Sequence, residues 1–141
     1  MLFGDGGDDN IFGHEGDDTI SGGDGGDTVR GGDGDDTITG FGGRDTLIGN
    51  NGDDVISGGD GNDQVFGNNG NDTLNGETGN DFISAGSGAD IVFGGDGNDS
   101  LNGNSGEDVI EGNLGNDTIL GGNDMDIIEG NAGNDLSLIH I

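Results

Sequence analysis

From Gly4 onward the chain repeats every nine residues, fifteen times without a slip of frame, from Gly4–Phe12 to Gly130–Leu138. Such a period fixes the architecture first, because each copy is a small unit that buries its apolar face only against its neighbours. The first place is Gly except at Ala85, and the fourth is Gly except at Asp124. The sixth is Asp in every copy: Asp9, Asp18, Asp27, Asp36, Asp45, Asp54, Asp63, Asp72, Asp81, Asp90, Asp99, Asp108, Asp117, Asp126 and Asp135. The eighth is aliphatic in fourteen of the fifteen copies, from Ile11 to Ile128, and Leu2 continues that register upstream.

Within one copy the chemistry changes from turn to strand. Gly31–Thr39 reads Gly-Gly-Asp-Gly-Asp-Asp-Thr-Ile-Thr. Its first six residues favour positive φ angles and tight turns. Its last three are β-branched and alternate polar, apolar, polar, as a half-buried strand does. The pattern predicts turn, strand, turn, strand, with two copies per coil. Strands stacked about 4.8 Å apart would form two parallel sheets across a thin aliphatic core. Fifteen copies make seven and a half coils, a rod roughly 35 Å long. The expected fold class is therefore all-β, a parallel β-solenoid.

The composition is at odds with so strict a pattern. Only 26% of the residues are hydrophobic and the formal charge is −28, values that ordinarily accompany disorder. A counter-charge would reconcile the two, and without it the chain is expected to be largely unfolded. Carboxylates spaced regularly along a glycine-rich backbone are ligands for a hard cation, and calcium suits them best. A purely turn-forming role would admit Asn as readily as Asp. Yet Asn recurs at the fifth place (Asn62, Asn71, Asn80, Asn98, Asn116, Asn134) and never at the sixth. The absence of Cys removes disulfides, thiol catalysis and thiolate metal sites. With Arg30 and Arg44 as the only basic side chains, nucleic acid would be repelled. No run reads as a signal peptide or a membrane span.

Gly22–Arg30, Gly31–Thr39, Gly58–Phe66 and Gly94–Asn102 resemble in full the RTX (repeats-in-toxin) nonapeptide, Gly-Gly-x-Gly-x-Asp-x-apolar-x, a calcium-binding repeat. The resemblance covers almost the whole chain. It implies a right-handed parallel β-roll with calcium held between turns stacked on the same side. In such a roll the sixth-place Asp ligates, and carbonyls of the first four places complete the shell. Carried over, Asp36 would share ions with Asp18 and Asp54. Fifteen copies paired eighteen residues apart give thirteen sites, whose ions carry +26 against the formal −28. Oxygen ligands in a flexible turn suit Ca²⁺ better than Mg²⁺, which requires tighter octahedral geometry. The third-place Asp24, Asp33, Asp60 and Asp96 are expected to add side-chain oxygen. The pattern is weakest at Gly121–Glu129, where Asp124 replaces the turn glycine, and mildly altered at Ala85.

Other readings carry less. An EF-hand needs a twelve-residue loop between helices, for which a nine-residue period leaves no room. His14 reads as an exposed loop residue, and Ile48 and Phe66 as neighbours on one outer face. No Ser-His-Asp arrangement, Lys or pocket-forming core suggests catalysis, so no enzyme is expected. The last six residues, Leu136–Ile141, put Ser137 at the apolar place and abandon the glycines. They also match a translation of a transposon-end adapter used in DNA library preparation. The array is therefore expected over residues 1–135, with 136–141 a non-native tail or an irregular cap. By family resemblance the function expected is a module of a larger secreted bacterial protein, exported unfolded through a type I secretion apparatus and folded by calcium outside. An adhesin spacer or a polysaccharide-binding rod is the alternative. Uncapped rod ends would favour end-to-end self-association.

Overall fold

The computed structural model describes residues 1–138, so His140 and the rest of 139–141 lie outside it. Sixteen strands alternate between two sheets. One sheet holds β1 (Leu2–Gly6), β3 (Thr19–Asp24), β5 (Thr37–Gly42), β7 (Val55–Asp60), β9 (Thr73–Thr78), β11 (Ile91–Asp96), β13 (Val109–Leu114) and β15 (Ile127–Glu129). The other holds β2 (Asn10–Glu15), β4 (Thr28–Asp33), β6 (Thr46–Asn51), β8 (Gln64–Asn69), β10 (Phe82–Ser87), β12 (Ser100–Ser105), β14 (Thr118–Asn123) and β16 (Leu136–Leu138). All pairings are parallel and join residues eighteen apart, as Ile38 with Ile56 and Val65 with Ile83. The chain is thus an all-β solenoid of about eight turns, consistent with a β-roll. No helix among the described residues is long and apolar enough to cross a membrane.

The period-two alternation decides what lies inside. Ile20, Val29, Ile38, Leu47, Ile56 and their successors to Ile119 point inward and are at most 2% exposed. A parallel sheet needs such cover on its inner face, and here the second sheet supplies it. Leu2, Ile11 and Ile128 close the ends of the core and are partly buried.

Three details depart from the expected pattern. The strands β2 to β14 are longer than three residues: each runs through the last three places of one copy and the first three of the next, leaving only places four to six as the turn. The ladder survives because the second place bends while still pairing. It takes positive φ in every copy, including Asn50 (84°), Asn68 (80°) and Phe41 (79°), and Asn is one of the few side chains that tolerate that region. One strand is added to the fifteen that the copies supply, because Leu2–Gly6 opens one sheet ahead of the first copy, while the short Leu136–Leu138 supplies the eighth strand of the other. The Gly121–Glu129 copy also holds its register. Asp124 adopts the glycine conformation at φ 79°, and Ile128 still pairs with Ile110, although the following strand shortens to three residues. Ile48 and Phe66 are neighbours on the outer face, as expected.

Candidate metal centre

The coil reverses direction at its two long edges, and the sixth-place aspartates close each turn. Those that lead into the β2 sheet form one row, from Asp9 through Asp63 to Asp135, and those that lead into the β1 sheet form the other, from Asp18 through Asp72 to Asp126. In the middle of the rod, from Asp27 to Asp117, each of them is no more than 2% exposed.

Within a row the carboxylates are tied coil to coil. The backbone N–H of Asp9 donates to Asp27 Oδ1 at 2.8 Å, that of Asp27 to Asp45 Oδ1 at 2.8 Å, and that of Asp54 to Asp72 Oδ1 at 2.8 Å. The series continues to Asp117 N–H on Asp135 Oδ1 at 3.0 Å. From Asp27 to Asp135 one oxygen of each carboxylate is thereby satisfied. The other is not. Oδ2 of Asp9, Asp27, Asp36, Asp45, Asp54, Asp63, Asp72, Asp81, Asp90, Asp99, Asp108, Asp117 and Asp126 is buried without a hydrogen-bond partner. A buried carboxylate oxygen with no partner is costly, and a whole row of them implies a missing positive group.

The first-place glycines shape the space beside these oxygens. Their φ angles are ordinary, so backbone freedom is not the reason for Gly. A methyl built on Gly58 would stand 2.6 Å from Asp63 Oδ2 and 2.8 Å from the carbonyl oxygen of Gly76. On Gly94 it would stand 2.6 Å from Asp99 Oδ2 and 2.7 Å from the carbonyl of Gly112. A carboxylate oxygen of one coil and a carbonyl oxygen of the next thus converge in front of a bare Cα. These are the hard oxygen donors that calcium prefers. Among the described residues no three acidic or His side chains gather at one point. A cation here would therefore be held by one or two carboxylates together with backbone carbonyls, and the residues present fit that requirement.

Electrostatics agree. Burial pushes the Asp45, Asp81, Asp90, Asp99 and Asp108 carboxyls up to about 6, against the opposing hydrogen bond from the preceding coil. Burial raises Asp54 furthest, to about 7, with the charges of Asp72, Asp36 and Asp35 adding to it. Asp36, Asp63, Asp72 and Asp117 are raised for the same first reason. Without counter-ions the rows hold charge unwillingly.

The third-place aspartates stand elsewhere. Asp24, Asp33, Asp60 and Asp96 are exposed at the outer strand ends. Asp33 Oδ1 accepts from Asn51 Nδ2 at 2.7 Å and Asp60 Oδ1 from Thr78 Oγ1 at 2.8 Å. His14 is likewise exposed, its ring stacked on Phe12 at 6.1 Å.

A family model for the RTX calcium-binding nonapeptide repeat matches the chain four times, over residues 3–38, 39–74, 66–101 and 102–136. The chain belongs to that family. No curated protein matches it. Membership makes it a calcium-binding repeat module, and the RTX motif now has a physical reading place by place. The fourth-place glycine supplies the turn, the first-place glycine leaves room beside Oδ2, and the sixth-place Asp brings the charge.

One feature of this RTX array escaped the sequence reading. The fifth-place side chains form a second ladder running the opposite way. Asn80 N–H donates to Asn62 Oδ1 at 2.7 Å, Asn98 N–H to Asn80 Oδ1 at 2.8 Å and Asn116 N–H to Asn98 Oδ1 at 2.9 Å. The frequency of Asn at that place was the available signal. An exposed amide can accept from one coil and donate to another, which a carboxylate cannot.

Proposed function

We propose that calcium, bound along both rows of sixth-place aspartates, folds this RTX module and holds it folded. The observation that carries this reading is the buried, unpartnered Oδ2 of successive coils. A neutral amide would be cheaper to bury, yet all fifteen copies keep the carboxylate. Pairing along the rows gives thirteen ion sites, formed by Asp9, Asp18, Asp27 and their successors to Asp135 with carbonyls of adjacent coils. The exposed Asp24, Asp33, Asp60 and Asp96 stand as accessory ligands at the strand ends. An unfolded chain has no such sites, so the free energy of ion binding becomes free energy of folding. By family, the module serves a larger extracellular bacterial protein, leaves the cell unfolded through a type I secretion apparatus, and folds where calcium is abundant.

Circular dichroism during a calcium titration tests the proposal, with magnesium as the control. A cooperative gain of β signal with calcium alone is expected, and a chain that is fully folded in chelator overturns it. One observation favours the alternative of a polysaccharide-binding rod: Phe12, Arg30, Ile48 and Phe66 lie consecutively on the outer face of the β2 sheet, with Arg30 over the Phe12 ring at 5.3 Å. Retention on immobilised acidic and neutral polysaccharides distinguishes that role.

A further inference from the structure

Ala85 is the only first-place residue with a side chain. It lies in β10, its methyl is fully buried, and it is flanked in the same sheet by Gly67 and Gly103. A methyl built on Gly67 would meet Asp72 Oδ2 and stand 2.6 Å from the carbonyl oxygen of Ala85. One built on Gly103 would meet Asp108 Oδ2 and the carbonyl oxygen of Gly121. By the same register, the methyl of Ala85 faces Asp90 Oδ2 and the carbonyl of Gly103. Asp90 keeps the common arrangement in every other respect. It is 1% exposed, its Oδ1 accepts from Asp72 N–H at 2.8 Å, and its Oδ2 is buried without a partner.

We infer that Ala85 plugs one calcium site, so that the row from Asp18 to Asp126 is interrupted beside Asp90. This inference rests on the calcium reading of the rows. A cation needs its ligand oxygens to close around it, and calcium takes six to eight of them. A methyl among the converging oxygens removes the space and offers no donor. The consequence is asymmetric. The row from Asp9 to Asp135 is continuous, whereas its counterpart falls into an amino-terminal stretch from Asp18 to Asp90 and a carboxyl-terminal stretch from Asp108 to Asp126. In a solenoid, where stability is a sum over neighbouring repeats, such a gap marks where the rod opens first.

Native mass spectrometry of the full chain at saturating calcium resolves the number of ions bound. Ala85→Gly is expected to bind one ion more than the unaltered chain, and Gly67→Ala one fewer. In hydrogen exchange at limiting calcium, the amides around Asp90 are expected to exchange before those around Asp81 on the opposite edge, and Ala85→Gly is expected to abolish that difference. An unaltered chain that binds calcium with the same count as Ala85→Gly overturns the plug while leaving the calcium reading intact. Failure of both chains to bind calcium overturns the calcium reading itself, and the plug with it.

Discussion

Asp54→Asn separates the two jobs a sixth-place aspartate can have. The amide keeps an oxygen to accept the Asp36 N–H, now bonded to Asp54 Oδ1 at 2.8 Å, so the turn hydrogen bond survives. What disappears is the charge. Burial first, and the charges of Asp72, Asp36 and Asp35 second, raise the Asp54 carboxyl from 3.8 to about 7. A difference of about 3 units corresponds to about 4 kcal/mol. The sign follows from the direction of the shift. A carboxyl whose folded value exceeds its unfolded one costs nothing below about pH 4, costs progressively more between about pH 4 and pH 7, and costs the full amount above. In chelator at pH 8, with sulfate added to favour the compact state, Asp54→Asn should therefore be more stable than the unaltered chain by up to about 4 kcal/mol. At pH 4 the two should coincide. In calcium the order reverses, because the variant lacks a ligand to two neighbouring sites. A tenfold loss at each costs about 3 kcal/mol. Urea denaturation followed by circular dichroism reads both arms. If Asp54→Asn destabilised the chain equally with calcium and with chelator, the aspartate would be a turn former alone and no calcium ligand.

Further outcomes follow from particular contacts. Gly61 sits at φ 147° with its absent side chain directed at the carbonyl oxygen of Gly43; Gly61→Ala should cost at least about 3 kcal/mol in calcium, measured by denaturant midpoint. Asn50→Gly, at a position already at φ 84°, should stay within about 0.5 kcal/mol. Leu74 is fully buried between Ile56 and Val92, and Leu74→Ala should cost about 2–5 kcal/mol by the same assay. Asn98→Ala removes the acceptor of the exposed Asn116 N–H, so a loss near 1 kcal/mol is expected, with faster exchange of the Asn116 amide as its signature.

Much of this molecule was legible from its period. Two copies per coil, parallel pairing eighteen residues apart and the inward row from Ile20 to Ile119 all follow from apolar residues recurring every nine places, and all are present. The extent of the strands was not legible. Glycine at the first place looks like turn chemistry on paper, whereas in the fold Gly58 and Gly94 are extended and are glycine for lack of space. Composition cannot separate those two reasons, because one is a matter of φ and the other of what a distant coil places opposite. The sixth-place aspartates were visible as a row, but the division of labour between Oδ1 and Oδ2 arises only when the neighbouring coil presents its N–H. Asp124 illustrates the reverse case. It breaks the sequence pattern yet occupies the turn at φ 79°, since Asp tolerates the left-handed region better than most side chains.

If the unpartnered Oδ2 atoms face calcium, the anomalous scattering of calcium in crystals of the loaded protein will locate the ions beside them. Two rows of anomalous peaks are expected, one along each edge of the rod, each about 2.4 Å from a sixth-place aspartate oxygen, with a gap beside Asp90. Rows of water, or carboxylates turned outward with calcium scattered over the surface, would contradict the calcium reading of the rows.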